Sequence, residues 1–173
     1  TNVETLKKVF PTSSIQTFSK PAVSSIPGNI HKRTYDLIFC GTTLQTTKNH
    51  QCFIQLMKHI DIYVDFNLKV VIVGNEKDSP IFNSLFNYPF SNITLFDEGE
   101  VSREQLQHLF SRSKTCIVTS GRDANPRVIQ ESLIHGARVL VVDTLSDGMD
   151  FISSNPLLGS VLESEPEFWK YAR

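Results

Sequence analysis

The loop and helix at residues 120–131 carry two carboxylates eight residues apart, Asp123 and Glu131. The helix is otherwise apolar, so a carboxylate at Glu131 is costly there unless a polar group, such as a pair of hydroxyls, partners it. Asp123 precedes the helix and would face any occupant of the adjacent cleft. The pair could hold a ligand that offers hydroxyl groups, although these residues alone favour a structural role. A surface position for Glu131 and a helix-capping role for Asp123 or Asn125 are the alternatives.

Lys48 is the second candidate, because it lies at the start of a predicted helix, at the end of the loop 41–48. Its ammonium and the free N–H groups of that helix can face one anion together. The loop lacks the second glycine and the following Ser or Thr of a Walker phosphate-binding loop, and no Gly-x-Gly-x-x-Gly follows a strand. These patterns argue against a Walker-type nucleotide site and a nicotinamide-dependent dehydrogenase. A solvated lysine is the alternative.

Strand and helix patterns alternate from Tyr35 onward. Short β-branched runs predict strands, and apolar residues at helical spacing predict helices between them. The predicted strands are 37–41, 68–74, 92–96, 115–119, 137–143 and 160–163, and the predicted helices are 48–60, 79–86, 102–110, 126–135, 146–153 and one from 165. Ser79 and Ser102 are the predicted N-caps of two helices.

This alternation predicts an α/β fold, because helical crossovers between strands of one sheet produce a parallel order. We expect a Rossmann-like three-layer α/β/α sandwich with a parallel sheet of about six strands. Ligands of such sheets bind beyond the carboxyl ends of the strands. The loops that hold Lys48 and Asp123 both lie at that edge.

Length and composition narrow the remaining choices. The 173 residues suffice for one core, and we expect an irregular lead-in at 1–33 and one domain at 34–173. The formal net charge of −1 provides no bulk attraction to nucleic acid. Cys40, Cys52 and Cys116 are odd in number and lie in apolar surroundings, which indicates buried thiols in a reducing compartment.

Two further features concern the context of the chain. No apolar run approaches the roughly 20 residues of a membrane-spanning helix, so we expect no transmembrane segment. The sequence begins at Thr1 without Met, which suggests a piece of a longer protein. We expect a cytoplasmic location, or a peripheral one at a membrane for the full-length protein.

The order of motifs from about Tyr35 to Glu163 carries a family resemblance. These motifs are a strand ending at Gly41 with Lys48 six residues after Thr42, a strand ending in Val73-Gly74, the segment 98–106, a strand ending at Ser120, the acids Asp123 and Glu131, then Gly136 and a strand at 139–142. Together they resemble the C-terminal, nucleotide-sugar-binding domain of GT-B-fold glycosyltransferases, in the retaining family four or group 1. No single motif is specific, whereas their order and spacing are.

The resemblance implies transfer of a sugar from a nucleoside-diphosphate sugar, with UDP or GDP, to an acceptor hydroxyl with retention, without a cofactor or metal. It implies that Lys48 contacts the diphosphate, that Asp123 faces the donor sugar, and that Glu131 binds the ribose hydroxyls. Lys48 and Asp123 are the implied catalytic residues. The implied donor-binding residues are Gly41, Thr42, Lys48, Gly74, Glu98, Gly99, Asn125, Pro126, Arg127 and Glu131.

Two positions depart from the family pattern. Thr42 stands where the family usually has Arg, so a phosphate cation is missing unless Arg122 or Arg127 compensates. Asp123 stands where the first acid is usually Glu. A non-catalytic nucleotide-sugar-binding or regulatory module is therefore the main alternative. A flavodoxin-like signalling domain is disfavoured, because the first strand lacks a following acidic cluster.

The resemblance also implies partners. A glycan, lipid or protein acceptor would be held by an N-terminal domain that this chain does not contain, and nucleic acid is not an expected partner. We therefore expect the isolated chain to bind donor weakly and to be inactive.

Overall fold

Six β-branched runs form the strands of one parallel sheet. The structure, a computed structural model, describes residues 32–42, 46–74, 79–121, 127–142 and 152–162. The strands are β1 Tyr35–Cys40, β2 Leu68–Val73, β3 Ile93–Asp97, β4 Ser113–Val118, β5 Arg138–Val142 and β6 Gly159–Leu162. Their order is β3-β2-β1-β4-β5-β6, and every neighbouring pair is parallel. The predicted Rossmann-like sheet of about six strands is confirmed.

Both faces of the sheet are covered, which explains why the central strands read as continuous apolar runs. The helices are α1 His50–Tyr63, α2 Pro80–Phe86, α3 Arg103–Arg112 and α4 Arg127–Ile134. On one face Phe39 and Ile72 pack with Phe53 of α1 and Phe82 of α2. On the other face Ile38, Val71 and Cys116 pack with residues of α3 and α4, among them Phe110 and Leu133. The result is the expected three-layer sandwich.

One helix starts later than predicted, and one predicted N-cap lacks its side-chain hydrogen bond. Lys48 ends a short 3-10 helix, Thr46–Lys48, and α1 begins two residues later than predicted. The cause is Asn49, whose φ of 50° is left-handed and whose side chain caps the helix by accepting from the amide of Cys52 at 3.3 Å. Ser79 occupies the N-cap of α2 with Pro80 after it, but its side chain makes no capping hydrogen bond.

Ser102 fulfils its predicted role. Its hydroxyl accepts from the amide of Gln105, and the side chain of Gln105 accepts from the amide of Ser102, which together form a capping box at the start of α3. The predictions for residues 1–31, for most of the helix at 146–153 and for the helix from 165 lie outside the described residues. Within the described part of the chain, no helix is long and apolar enough to cross a bilayer.

Candidate functional site

The direction in which successive strands are added to the sheet reverses between β1 and β4. From β1 the chain crosses through α1 to β2 on one side, whereas β4 pairs with β1 on the other side and continues outward to β5. The loops after β1 and β4 therefore diverge, and this topological switch point opens a crevice beyond the carboxyl ends of the two strands. Lys48 lies in the segment after β1, and Glu131 lies in α4, the helix that follows β4.

The loops after β1, β2 and β3 are joined by backbone contacts. The amide of Gly41 donates to the carbonyl of Val73 at 3.0 Å, and the amide of Gly74 donates to the carbonyl of Gly99 at 2.7 Å. The amide of Glu98 donates to the carbonyl of Ile72 at 3.0 Å. The predicted residues Gly41, Gly74, Glu98 and Gly99 therefore lie together on one side of the crevice.

Gly99 and Glu98 shape the outer part of this region. Gly99 has a φ of 60°, and its amide donates to the carboxylate of Asp97 at 3.0 Å, which closes a tight turn after β3. Glu98 is exposed and Thr42 is partly buried. Glu98 and Gly99 therefore form a rim beside the loop that follows β1, with one carboxylate and several backbone polar groups.

The segment that carries Lys48 is fastened to the end of β4. The hydroxyl of Thr119 donates to the carbonyl of Lys48 at 2.7 Å and lies 3.3 Å from the carbonyl of Asn49. The amide of Gly121 donates to the carbonyl of Thr47 at 3.2 Å. Thr119 could not be identified from the sequence, because a threonine at a strand end carries no motif and its partner is distant in the chain.

His50 fastens the same segment to the end of β1. Its Nε2 lies 3.4 Å from the carbonyl oxygen of Gly41, and its ring packs edge-on against Phe39 and Phe82 at centroid distances of 5.8 and 5.4 Å. The ring is 4% exposed. Burial lowers the pKa of His50 below its usual value, and the charge of Lys48 lowers it further, whereas backbone carbonyls oppose the shift.

The charges of Lys48 and Glu131 both affect the pKa of Cys40, the last residue of β1. Its pKa is raised well above the usual value, first by a hydrogen bond with the thiol of Cys116 and then by burial. The charge of Lys48 lowers this pKa and the charge of Glu131 raises it. Two groups 83 positions apart in sequence thus act on one thiol at the end of β1. The thiol of Cys40 is therefore within the electrostatic reach of both Lys48 and Glu131.

Glu131 forms an ion pair with an arginine of the neighbouring helix. Arg103 of α3 lies 3.4 Å from its carboxylate, and the side chains are 74% and 30% exposed, respectively. The core-facing residues of α4 are Ile129, Ser132 and Leu133, so Glu131 lies at the side of the helix and not against the core. An ion pair this exposed contributes about 0–1 kcal/mol, and its carboxylate can exchange partners easily.

The remaining predicted residues lie at or before the start of α4. Arg127 is its first residue and is exposed. Asp123, Asn125, Pro126 and the cation Arg122 lie outside the described residues. Among the residues that are described, no group of three His, Cys, Asp or Glu side chains is arranged to hold a metal ion.

Comparison with known proteins places these features in a family. Residues 25–155 match the family model described as glycosyl transferases group 1. No curated protein sequence matches the chain.

Solved structures share the fold at low sequence identity. TarM has 16% identity and a TM-score of 0.66, covering 99% of this chain and 34% of that chain. The pneumococcal O-GlcNAc transferase GtfA, solved with UDP and GlcNAc, has 16% identity and a TM-score of 0.62, covering 99% and 35%. The lipopolysaccharide outer core galactosyltransferase WaaB has 14% identity and a TM-score of 0.57, covering 90% and 43%. The chain thus spans about a third of the length of the first two proteins.

Proposed function

Because the chain belongs to the group 1 glycosyltransferases, we propose that it binds the nucleoside diphosphate of a sugar donor in the crevice between the ends of β1 and β4. The observation that carries this proposal is the switch point of the sheet between β1 and β4, where the segment of Lys48 is hydrogen-bonded to the end of β4 and the helix of Glu131 follows that strand. A cation and a carboxylate there match a ligand with a charged diphosphate and a ribose diol.

Lys48 is the proposed diphosphate ligand. A lysine ammonium binds phosphate as a point charge, and the N-terminus of α1 begins two residues after it. The carbonyls of the lysine and its neighbours are held by the residues after β4, so the backbone that carries the charge is in place before the ligand arrives. A cation positioned in advance stabilises the charge that develops on a departing diphosphate.

Glu131 is the proposed ribose ligand. An ionised carboxylate accepts hydrogen bonds at both oxygens, as a vicinal diol requires. Arg103 contacts only one of these oxygens, at 3.4 Å, and an ion pair this exposed is weak enough for ligand hydroxyls to replace it. The rim at Glu98 and Gly99, next to Gly41, Thr42 and Gly74, would border the base.

The proposed reaction transfers the sugar to an acceptor hydroxyl with retention. The bond from the anomeric carbon to the diphosphate oxygen breaks, a bond to the acceptor oxygen forms on the same face of the sugar, and the proton of the acceptor hydroxyl passes to the departing diphosphate. Asp123 would face the sugar, with Asn125, Pro126 and Arg127 near the diphosphate. The acceptor, a glycan, lipid or protein, would be bound by a part of the protein outside this chain. The chain alone would bind the donor without turnover.

Titration of the chain with nucleoside diphosphates tests the donor site. UDP, the nucleotide bound by the pneumococcal O-GlcNAc transferase, is the first probe, followed by GDP and ADP. We expect one of them to bind with a Kd from tens of micromolar to millimolar, about 4 to 6 kcal/mol, as suits half of a cleft. UMP should bind more weakly, because it lacks one phosphate. Absence of binding by all three diphosphates at millimolar concentration would refute the donor site.

The same titration tests the proposal that no metal takes part. With the diphosphate charge assigned to Lys48 and helix N–H groups, the Kd for UDP should be the same in EDTA and in excess Mg²⁺. Binding that requires Mg²⁺ would show that the assignment is wrong.

A donor-binding module without turnover is the second candidate, favoured by Thr42 and Asp123 in place of the usual Arg and Glu. Release of UDP from UDP-sugars by the full-length protein distinguishes the two. An enzyme releases UDP, and a binding module does not.

A further inference from the structure

We propose that Thr119 is a positioning residue for Lys48, an inference that rests on the proposed donor site. Thr119 follows the last residue of β4 and is 1% exposed. Its hydroxyl donates to the carbonyl of Lys48 at 2.7 Å, a short hydrogen bond between segments 71 positions apart. No spacing rule or motif assigns a role to this residue.

The hydroxyl of Thr119 lies next to Asn49, whose backbone has an unfavourable left-handed conformation. Asn49 is the only described residue other than glycine with a positive φ, at 50°. Such a conformation persists when the surrounding structure holds it. The hydroxyl of Thr119 contacts the carbonyls on both sides of the Asn49 α-carbon, those of Lys48 at 2.7 Å and Asn49 at 3.3 Å. It therefore fixes the turn that separates the 3-10 helix from α1.

A second contact from the same strand end completes the attachment. The amide of Gly121 donates to the carbonyl of Thr47 at 3.2 Å. Three consecutive carbonyls, from Thr47 to Asn49, thus face the end of β4. The backbone of Lys48 is therefore held directly by the end of β4.

This attachment has a consequence for binding. A lysine on a fixed backbone loses less conformational freedom when it meets a phosphate than a lysine on a mobile loop. Removing the hydroxyl should therefore weaken nucleotide binding through Lys48, even though Thr119 itself need not touch the ligand. A role limited to folding would leave the affinity of the folded protein unchanged.

The test compares Thr119→Val with Thr119→Ser in the chain, using UDP or GDP, whichever the wild-type chain binds more tightly. Val keeps the shape and removes the hydroxyl, whereas Ser keeps the hydroxyl. We expect Thr119→Val to raise the Kd about fivefold and Thr119→Ser to stay within about twofold, as for loss and retention of one hydrogen bond. In a Lys48→Ala background, Thr119→Val should cause no further loss, because the two residues act as one unit.

Ser113→Ala is the matched control. Ser113 begins the same strand at its opposite end, is fully buried, and its hydroxyl likewise donates to a backbone carbonyl, that of Leu109 at 2.8 Å. It should lower the midpoint of thermal unfolding as Thr119→Val does, and leave the Kd unchanged.

Three results would overturn the inference while leaving the donor site intact: an unchanged Kd for Thr119→Val, an equal loss in the Lys48→Ala background, or an equal loss for Ser113→Ala. No binding of either nucleotide by the wild-type chain would overturn the donor site and this inference together.

Discussion

Gly74 is in backbone contact with Gly41. A β-carbon built on Gly74 would lie 3.0 Å from both the carbonyl carbon and the carbonyl oxygen of Gly41, and the φ of Gly74 is 87°. The amide of Gly74 also donates to Gly99. These contacts join the loops after β1, β2 and β3 on one side of the crevice.

Gly74→Ala should therefore destabilise the fold. The new β-carbon meets rigid backbone, and alanine is strained at positive φ, so we expect a loss of about 1 to 3 kcal/mol in the free energy of unfolding, measured by denaturant titration. Gly121→Ala is the control, because a β-carbon there meets nothing within 4 Å. Equal losses in the two variants would show that the contact at Gly74 is not the cause.

Glu131→Ala should weaken nucleotide binding. If the carboxylate accepts from the ribose hydroxyls, its removal leaves them unpaired, and the affinity measured by calorimetry should fall by about 1 to 3 kcal/mol. Arg103→Ala removes only the exposed ion partner and should change the affinity by less than about 1 kcal/mol. If Glu131→Ala binds as the wild type does, Glu131 is a surface residue and the ribose assignment is wrong.

His50 should make the stability of the fold depend on pH. Because its pKa is lowered in the folded state, the neutral ring contributes stability that is present above the unfolded pKa of about 6.5 and is lost as the pH falls through the folded pKa. His50→Gln keeps an N–H group that can reach the Gly41 carbonyl but cannot titrate in this range. The decrease in unfolding free energy from about pH 7 to pH 5 should be smaller in this variant. Identical pH profiles for the two proteins would contradict this.

The sheet, and the candidate roles of Lys48 and Glu131, can be predicted because they depend on patterns local in the sequence. Runs such as Val70–Val73 are buried on both faces, and β-branched residues of that kind have few other stable arrangements. Lys48 and Glu131 could be proposed because each follows a predicted strand, and parallel strands bring such loops to one edge. The sequence could not predict that Arg103 pairs with Glu131 or that Thr119 bonds to Lys48, because each contact joins distant segments of the chain. The helix start was misplaced because Asn49 adopts a left-handed conformation that no periodicity signals.

Cys40 offers a test of the convergence of Lys48 and Glu131 that needs no nucleotide. Its raised pKa keeps it in the thiol form near neutral pH, so alkylation by iodoacetamide should be slower than for an unstructured cysteine and should accelerate as the pH rises. Lys48→Ala removes a charge that lowers this pKa, so alkylation should become slower. Glu131→Gln removes a charge that raises it, so alkylation should become faster.

Mass spectrometry of proteolytic fragments measures the rate at Cys40 separately from the buried Cys52 and Cys116. Lys114→Ala is the control for charge alone, because Lys114 pairs with Asp36 at the opposite edge of the sheet, at 2.6 Å. It should leave the rate at Cys40 unchanged, since Lys114 lies near the other end of the strands and its charge is already paired with Asp36. If Lys48→Ala and Glu131→Gln shift the alkylation rate in the same direction, the two charges do not act on Cys40 as described. The assignment of Lys48 and Glu131 to the donor site would then lose its electrostatic support.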